Sequence, residues 1–155
     1  MFTAKDVMTS RFHTLRADMH LAEAIRIFKQ ISQEEQRRVF GMIVTDEDGH
    51  LKGMLSMYDI LLFVRPKHVQ VWGTMTDLDV SGLMESVSVQ AGNMLVGDLM
   101  TSEVITVSPE THVMAVLDLM IRKHIRRLPV VEQDVIQGMV YISDIFDFIV
   151  ERLST

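Results

Sequence analysis

Apolar residues recur at i, i+3, i+4 and i+7 in two places, as Leu21, Ala24, Ile25 and Phe28 and again as Val113, Val116, Leu117 and Met120. That spacing lines one face of an α-helix. A short extended piece precedes each stripe, FHTL in one case and VITV in the other. Two short runs that read as strands follow each helix: MIVTD and LKGMLS in the first half, LPVVE and VIQGMVY in the second. Both pairs read as hairpins, the first closed by Asp48-Gly49. Ser108 followed by Pro109 reads as the cap and first position of the second amphipathic helix. A last helix begins near Ser56 in one half and near Tyr141 in the other. Each half thus reads strand, helix, strand, strand, helix.

The halves also align residue by residue. Asp6, Met8, Thr9, Ser10, Thr14 and His20 fall on Asp98, Met100, Thr101, Ser102, Thr106 and His112 at a constant offset of 92. Farther on, Gly53 falls on Gly138 and Asp59 on Asp144 at an offset of 85. The first copy is longer in ISQEEQRRV, at the end of its first helix, and by one residue in the DEDGH turn. A self-match of this kind marks a duplication. The boundaries are residues 3–64 for the first copy, 65–95 for a connector and 96–153 for the second. The expected class is α+β, an α/β sandwich. A copy of about 60 residues can bury little alone, so the two sheets are expected to pack on each other with pseudo-twofold symmetry, helices outside. Two clefts would result, each near the start of a final helix. Within the connector, SGLMESVSV could form a short helix; this stretch, with the sole tryptophan, Trp72, is expected to pack on the module or on a second subunit.

Composition narrows the function. The chain has 155 residues and a formal charge of −6, which argues against a nucleic-acid partner, since phosphate neutralisation needs a basic face. There is no cysteine, which excludes thiolate catalysis, disulfides and cysteine zinc sites and fits a reducing compartment. The first fifteen residues carry charges where a secretory signal needs an apolar stretch, and no run approaches the roughly 18 apolar residues of a membrane span. A cytoplasmic location is expected. Thirteen methionines are read as core packing and subunit contact. None of the six histidines forms a zinc-binding H-E-x-x-H pattern, and no P-loop, G-x-G-x-x-G or G-x-S-x-G elbow occurs. No metal site and no catalytic residue is assigned, and the chain is not expected to be an enzyme.

One stretch invites a chemical reading. GMLSMYDI (53–60) places Gly53, Ser56 and Asp59 three residues apart at the start of a final helix. An ionised Asp could accept the paired hydroxyls of a ribose. The helix N-terminus and Ser56 could donate to phosphate, and Gly53 would let a ligand or a neighbouring backbone come close. The same residues also spell a capping box, which would stabilise the helix by roughly 1 kcal/mol with no ligand at all.

With DVMTS, VTDEDGHLKGMLSMYDIL, DLMTSEVITVSPETHVMAVLDLM and RRLPVVEQDVIQGMVYISDIF together, the chain resembles paired cystathionine-β-synthase (CBS) domains, a Bateman module. The resemblance covers nearly everything outside the connector. It implies a regulatory module that senses AMP, ADP, ATP, S-adenosylmethionine or NAD, with Mg²⁺ entering only as a nucleotide counter-ion. It also implies a homodimer that signals to an unidentified protein target; a ligand-free dimeric interaction module is the alternative. The family's ligand motif is complete as Gly53, Ser56 and Asp59. The second copy keeps Gly138 and Asp144 but carries Tyr141 at the hydroxyl position, where a phenol could stack on a base or occlude the cleft. Thr14, Ile105 and Thr106 would line a base pocket, Pro129 would also contact the ligand, and Arg126 and Arg127 would meet phosphate, with Arg37 and Arg38 in the lengthened counterpart.

Overall fold

The computed structural model describes residues 1–36, 39–65 and 80–154; Arg37, Arg38 and the part of the connector with Trp72 lie outside the described residues. The fold is α+β and built on two repeats. The elements run α1 (Ala4–Val7), β1 (Thr14–Arg16), α2 (Leu21–Glu34), β2 (Gly41–Thr45), β3 (Leu51–Ser56), α3 (Met57–Val64), α4 (Val80–Asn93), α5 (Val96–Leu99), α6 (Val113–Lys123), β4 (Arg127–Glu132), β5 (Val135–Tyr141) and α7 (Ile142–Leu153). The expected connector helix is therefore present and longer than SGLMESVSV.

These elements form two compact units. The first comprises residues 14–45 and 52–102. Its sheet runs β1-β2-β3, with β1 parallel to β2 and Thr14 opposite Ile43. The apolar stripe of α2 buries Leu21, Ala24 and Phe28 with Ile31, against Leu15, Met42, Val44, Leu55, Ala91 and Val96. Ala91 and Val96 come from beyond the first repeat's hairpin. The Leu21 N–H donates to the Met94 carbonyl, Val96 to Met19 and Gly97 to Ala17, at 2.7, 2.8 and 2.9 Å.

The second unit comprises residues 1–13, 46–51 and 103–155. Its hairpin pairs β4 with β5 antiparallel, Arg127 opposite Tyr141, with an irregularity between Val130 and Val131. Here α6 buries Val113, Val116 and Met120 against Leu128, Val130, Val140 and Ile145, while α1 adds Ala4 and Val7. Backbone bonds hold the opening segment of the chain: Ala4 N–H to the Thr111 carbonyl, Lys5 to Pro109 and Val113 to Phe2, at 2.8, 3.0 and 3.0 Å. Phe2 also meets Phe148 edge-on at 4.9 Å, and the Arg152 guanidinium lies over both rings.

This pairing moves the start of α6. Ser108 and Pro109 do not open the helix, because Ser108 and Thr111 close a turn, with the Thr111 N–H bonded to the Ser108 carbonyl at 3.1 Å. The carbonyls of Pro109 and Thr111 are taken by α1. The helix instead starts at Val113, capped by His112, whose Nδ1 accepts the Met114 N–H at 3.0 Å. The VITV segment is likewise less regular than its counterpart: Val107 alone bridges to Val130, giving its N–H to Pro129 and accepting that of Val131.

Candidate functional site

The motif stretch of the first unit turns directly from strand to helix. Ser56 ends β3 in an extended conformation and caps α3. Its Oγ accepts the Asp59 N–H at 3.1 Å and donates to Asp59 Oδ2 at 2.9 Å, and its own N–H donates to the same oxygen at 2.9 Å. The capping box is thus fully formed. It commits the Ser56 proton and saturates Oδ2, so the carboxylate presents Oδ1 to its surroundings, one oxygen rather than two. Asp59 stands in the first turn of α3, where its charge complements the helix dipole.

Gly53 is buried in β3 for a reason of its own. Met54 and Thr101 exchange two backbone hydrogen bonds at 2.9 Å, an antiparallel bridge that lays the MTS segment (100–102) along the strand. A Cβ on Gly53 would stand 2.5 Å from the Thr101 carbonyl oxygen and 2.9 Å from Met100 Sδ. The neighbour that needs this glycine is backbone. The bridge also brings Thr101 Oγ1 to 3.5 Å from Asp59 Oδ1. Thr14 lies elsewhere in this unit, exposed on β1, with β2 between it and the Gly53 strand.

The second unit repeats the scheme with substitutions. Thr9 and Met139 exchange backbone bonds at 2.8 and 3.0 Å, and a Cβ on Gly138 would lie 2.7 Å from the Thr9 carbonyl oxygen and 2.8 Å from Met8 Sδ. Tyr141 caps α7 through its backbone conformation only, its side chain making no cap bond, and Asp144 stands in the first turn. Across the hairpin from Tyr141 is Arg127, half-buried; burial lowers its pKa, an effect that Tyr141 opposes and Arg126 reinforces. Arg126 is exposed and holds the helix entry with its carbonyl, which accepts the Ile142 N–H at 2.9 Å. Pro129 is buried on β4, and Ile105 and Thr106 are exposed immediately before the Val107 bridge to that strand. Gly53, Ser56 and Asp59 therefore converge in one unit, and Arg127, Pro129, Tyr141 and Asp144 gather about one hairpin in the other.

Sequence reasoning passed over Thr101 and the paired methionines. The signal was present: Met8-Thr9-Ser10 and Met100-Thr101-Ser102 match without a gap, a repeat of residues with no evident use until their strands are seen against the motif glycines.

One cluster of metal-capable side chains occurs among the described residues, Asp46, Asp48 and His50 in the β2–β3 turn. The turn accounts for it. Asp46 Oδ1 accepts the N–H groups of Asp48 and His50, each at 2.9 Å, and its Oδ2 faces His50 Nδ1 at 3.3 Å. The His50 N–H bond is the main reason the Asp46 carboxyl sits below its ordinary pKa, with the Asp48 bond and the imidazole adding to it and burial opposing.

Comparison with known proteins gives the family. The CBS domain family model matches residues 4–66 and 96–151. The chain belongs to the CBS domain family. It is 28% identical over 145 residues to the CBS domain-containing protein YhcV of Bacillus subtilis, covering 94% of this chain and 84% of that one. Among solved structures, a CBS domain-containing protein of Kribbella flavida superposes with a TM-score of 0.76 at 20% identity, covering 97% and 99% of the two chains. CBSX2 of Arabidopsis thaliana, in complex with AMP, superposes with a TM-score of 0.71 at 24% identity, covering 99% of each. At these identities the structural likenesses bear on the fold.

Proposed function

We propose that the chain is a regulatory module that binds an adenine nucleotide through Asp59 and passes its occupancy to a partner protein. The observation that carries the reading is the state of Asp59. One carboxylate oxygen is fixed by the capping box while the other stays available at the positive end of α3, in a family whose fold is seen holding AMP in CBSX2. A carboxylate oxygen held in place suits a ribose hydroxyl, and the α3 N-terminus suits a phosphate. The cap that looked like a rival to the ligand reading is compatible with it, because the two uses fall on different oxygens. The Ser56 hydroxyl and the Asp59 oxygen that it meets are both spent on the helix cap, so the reading is of binding and signalling: a ligand that prefers one conformation shifts the population a partner sees. The partner surface in this reading includes a second copy of the chain. Leu61 on α3 and its repeat equivalent Phe146 on α7 are 57% and 66% exposed, and apolar side chains at matched positions suit a symmetric contact.

Thermal unfolding with AMP, ADP, ATP, S-adenosylmethionine and NAD in turn tests the proposal. A ligand at one hundred times its Kd stabilises by about 2.7 kcal/mol, a rise in Tm of several degrees for a chain of this size. The expected result is such a rise in the wild type and its loss in Asp59→Asn, which keeps a side-chain oxygen for the cap. Sedimentation of the same samples should give the mass of a dimer. Equal midpoints with and without every ligand would leave an interaction module.

A further inference from the structure

We propose that Thr101 is a positioning residue that aims Asp59 at a ribose hydroxyl, an inference that rests on the nucleotide reading above. Of the two carboxylate oxygens, Oδ2 is anchored by the backbone and side chain of Ser56. Oδ1 has one described donor near it, the Thr101 hydroxyl at 3.5 Å. A contact of that length is weak as a structural bond, and it leaves Oδ1 with acceptor capacity for a second donor. Thr101 itself is placed with care: both its backbone groups are bonded to Met54, Met100 N–H is bonded to the Val96 carbonyl at 2.9 Å, and Gly53 gives up its Cβ to admit the strand. Its backbone is pinned while its side chain is exposed.

The second unit supplies the contrast. Thr9, the repeat equivalent, is bridged to Met139 in the same way, yet its hydroxyl turns back along its own chain, accepting the Arg11 N–H at 3.3 Å and donating to the Arg11 carbonyl at 3.4 Å. The bridge therefore does not dictate where the hydroxyl points. It points at the acid in the unit whose Gly-x-x-Ser-x-x-Asp motif is complete. A side chain supplied by the lead-in of the second repeat thus finishes a site whose motif lies in the first.

Calorimetric titration of AMP, 2′-deoxy-AMP and 3′-deoxy-AMP into the wild type, Thr101→Ser, Thr101→Val and Asp59→Asn tests this. Thr101→Val should weaken AMP by about three- to tenfold, the range of one modest hydrogen bond, while Thr101→Ser stays within about twofold of wild type. The valine penalty should disappear for the deoxynucleotide that lacks the hydroxyl Asp59 accepts, a dependence that general damage to the fold would not produce. Wild-type affinity for AMP in Thr101→Val overturns the inference, and so does an equal loss against all three nucleotides. If Asp59→Asn loses AMP while Thr101→Val keeps it, the positioning role alone fails; if the wild type binds none of the three, the nucleotide reading fails and this inference with it.

Discussion

At the scale of single residues, glycine, serine and acid answer to different demands although they form one motif. Asp59 and Ser56 settle the start of α3, and the cap leaves Oδ1 of the acid facing the Thr101 hydroxyl. Gly53 and Gly138 answer to the chain, since each lies under a crossing backbone that a Cβ would strike. Gly53→Ala and Gly138→Ala should therefore each cost about 1–3 kcal/mol, because the atom in the way is a carbonyl already bonded to the strand and cannot swing aside. Gly92 is the control. It sits within α4 with nothing within 4 Å of a built Cβ, so Gly92→Ala should be neutral or stabilising by up to about 1 kcal/mol. Chemical denaturation of the three variants checks the contrast, and equal effects at positions 53 and 92 would remove the close-approach argument. The cap made by the acid and the hydroxyl was legible in the sequence because a cap is a local pattern. Thr101 was not, since only the pairing of two distant segments gives it a partner.

At the scale of elements, periodicity located α2 and α6, and short apolar runs either side of a turn located both hairpins, because each depends on side chains adjacent in sequence. The start of α6 was misread for the opposite reason: the carbonyls that Ser108-Pro109 would have left to a helix are taken by residues 4 and 5. Turns behave more predictably. The β2–β3 turn has Gly49 at φ +83°, where a side chain is disfavoured, whereas the β4–β5 turn manages with Gln133 and Asp134 at φ +51° and +66°. Asp46 organises the first of these turns through two backbone bonds and carries a depressed pKa. A carboxyl whose pKa is lowered by folding stabilises the fold fully above its ordinary value of 3.8, and that contribution is lost as pH falls through the folded value. Asp46→Asn keeps an oxygen for the backbone bonds and loses the charge. Its Tm should sit below that of the wild type at about pH 5, and the margin should close as the pH drops past the ordinary carboxyl range. A margin independent of pH from neutrality down to acid would show that the charge has no part in holding the turn.

At the scale of the whole molecule, the duplication was visible in the sequence, but the compact units do not follow the repeats. Each repeat's lead-in serves the other unit: α1 and Thr9 pack with α6 and β5, while α5 and Thr101 pack with β1 and β3. A self-match finds equivalent residues and says nothing about which copy they touch, so this exchange was beyond reach. Its energetic consequence is concrete. A fragment of residues 1–65 would hold β1, α2, β2, β3 and α3 without Ala91 and Val96 in the core, without the bonds from Met94, Val96 and Gly97, and without the Thr101 bridge. It would also carry α1 with nothing to pack on. Burial at this chain length is marginal even when the core is intact, so the fragment should show no cooperative thermal transition by circular dichroism. The fragment of residues 66–155 should fail in the same way, lacking α1 and the Thr9 bridge. Because the missing parts of each are contained in the other, mixing the two should restore a cooperative transition whose midpoint rises with fragment concentration, as association linked to folding requires. A fragment of residues 1–65 that unfolds cooperatively alone would mean that the exchanged segments decorate a repeat already stable without them.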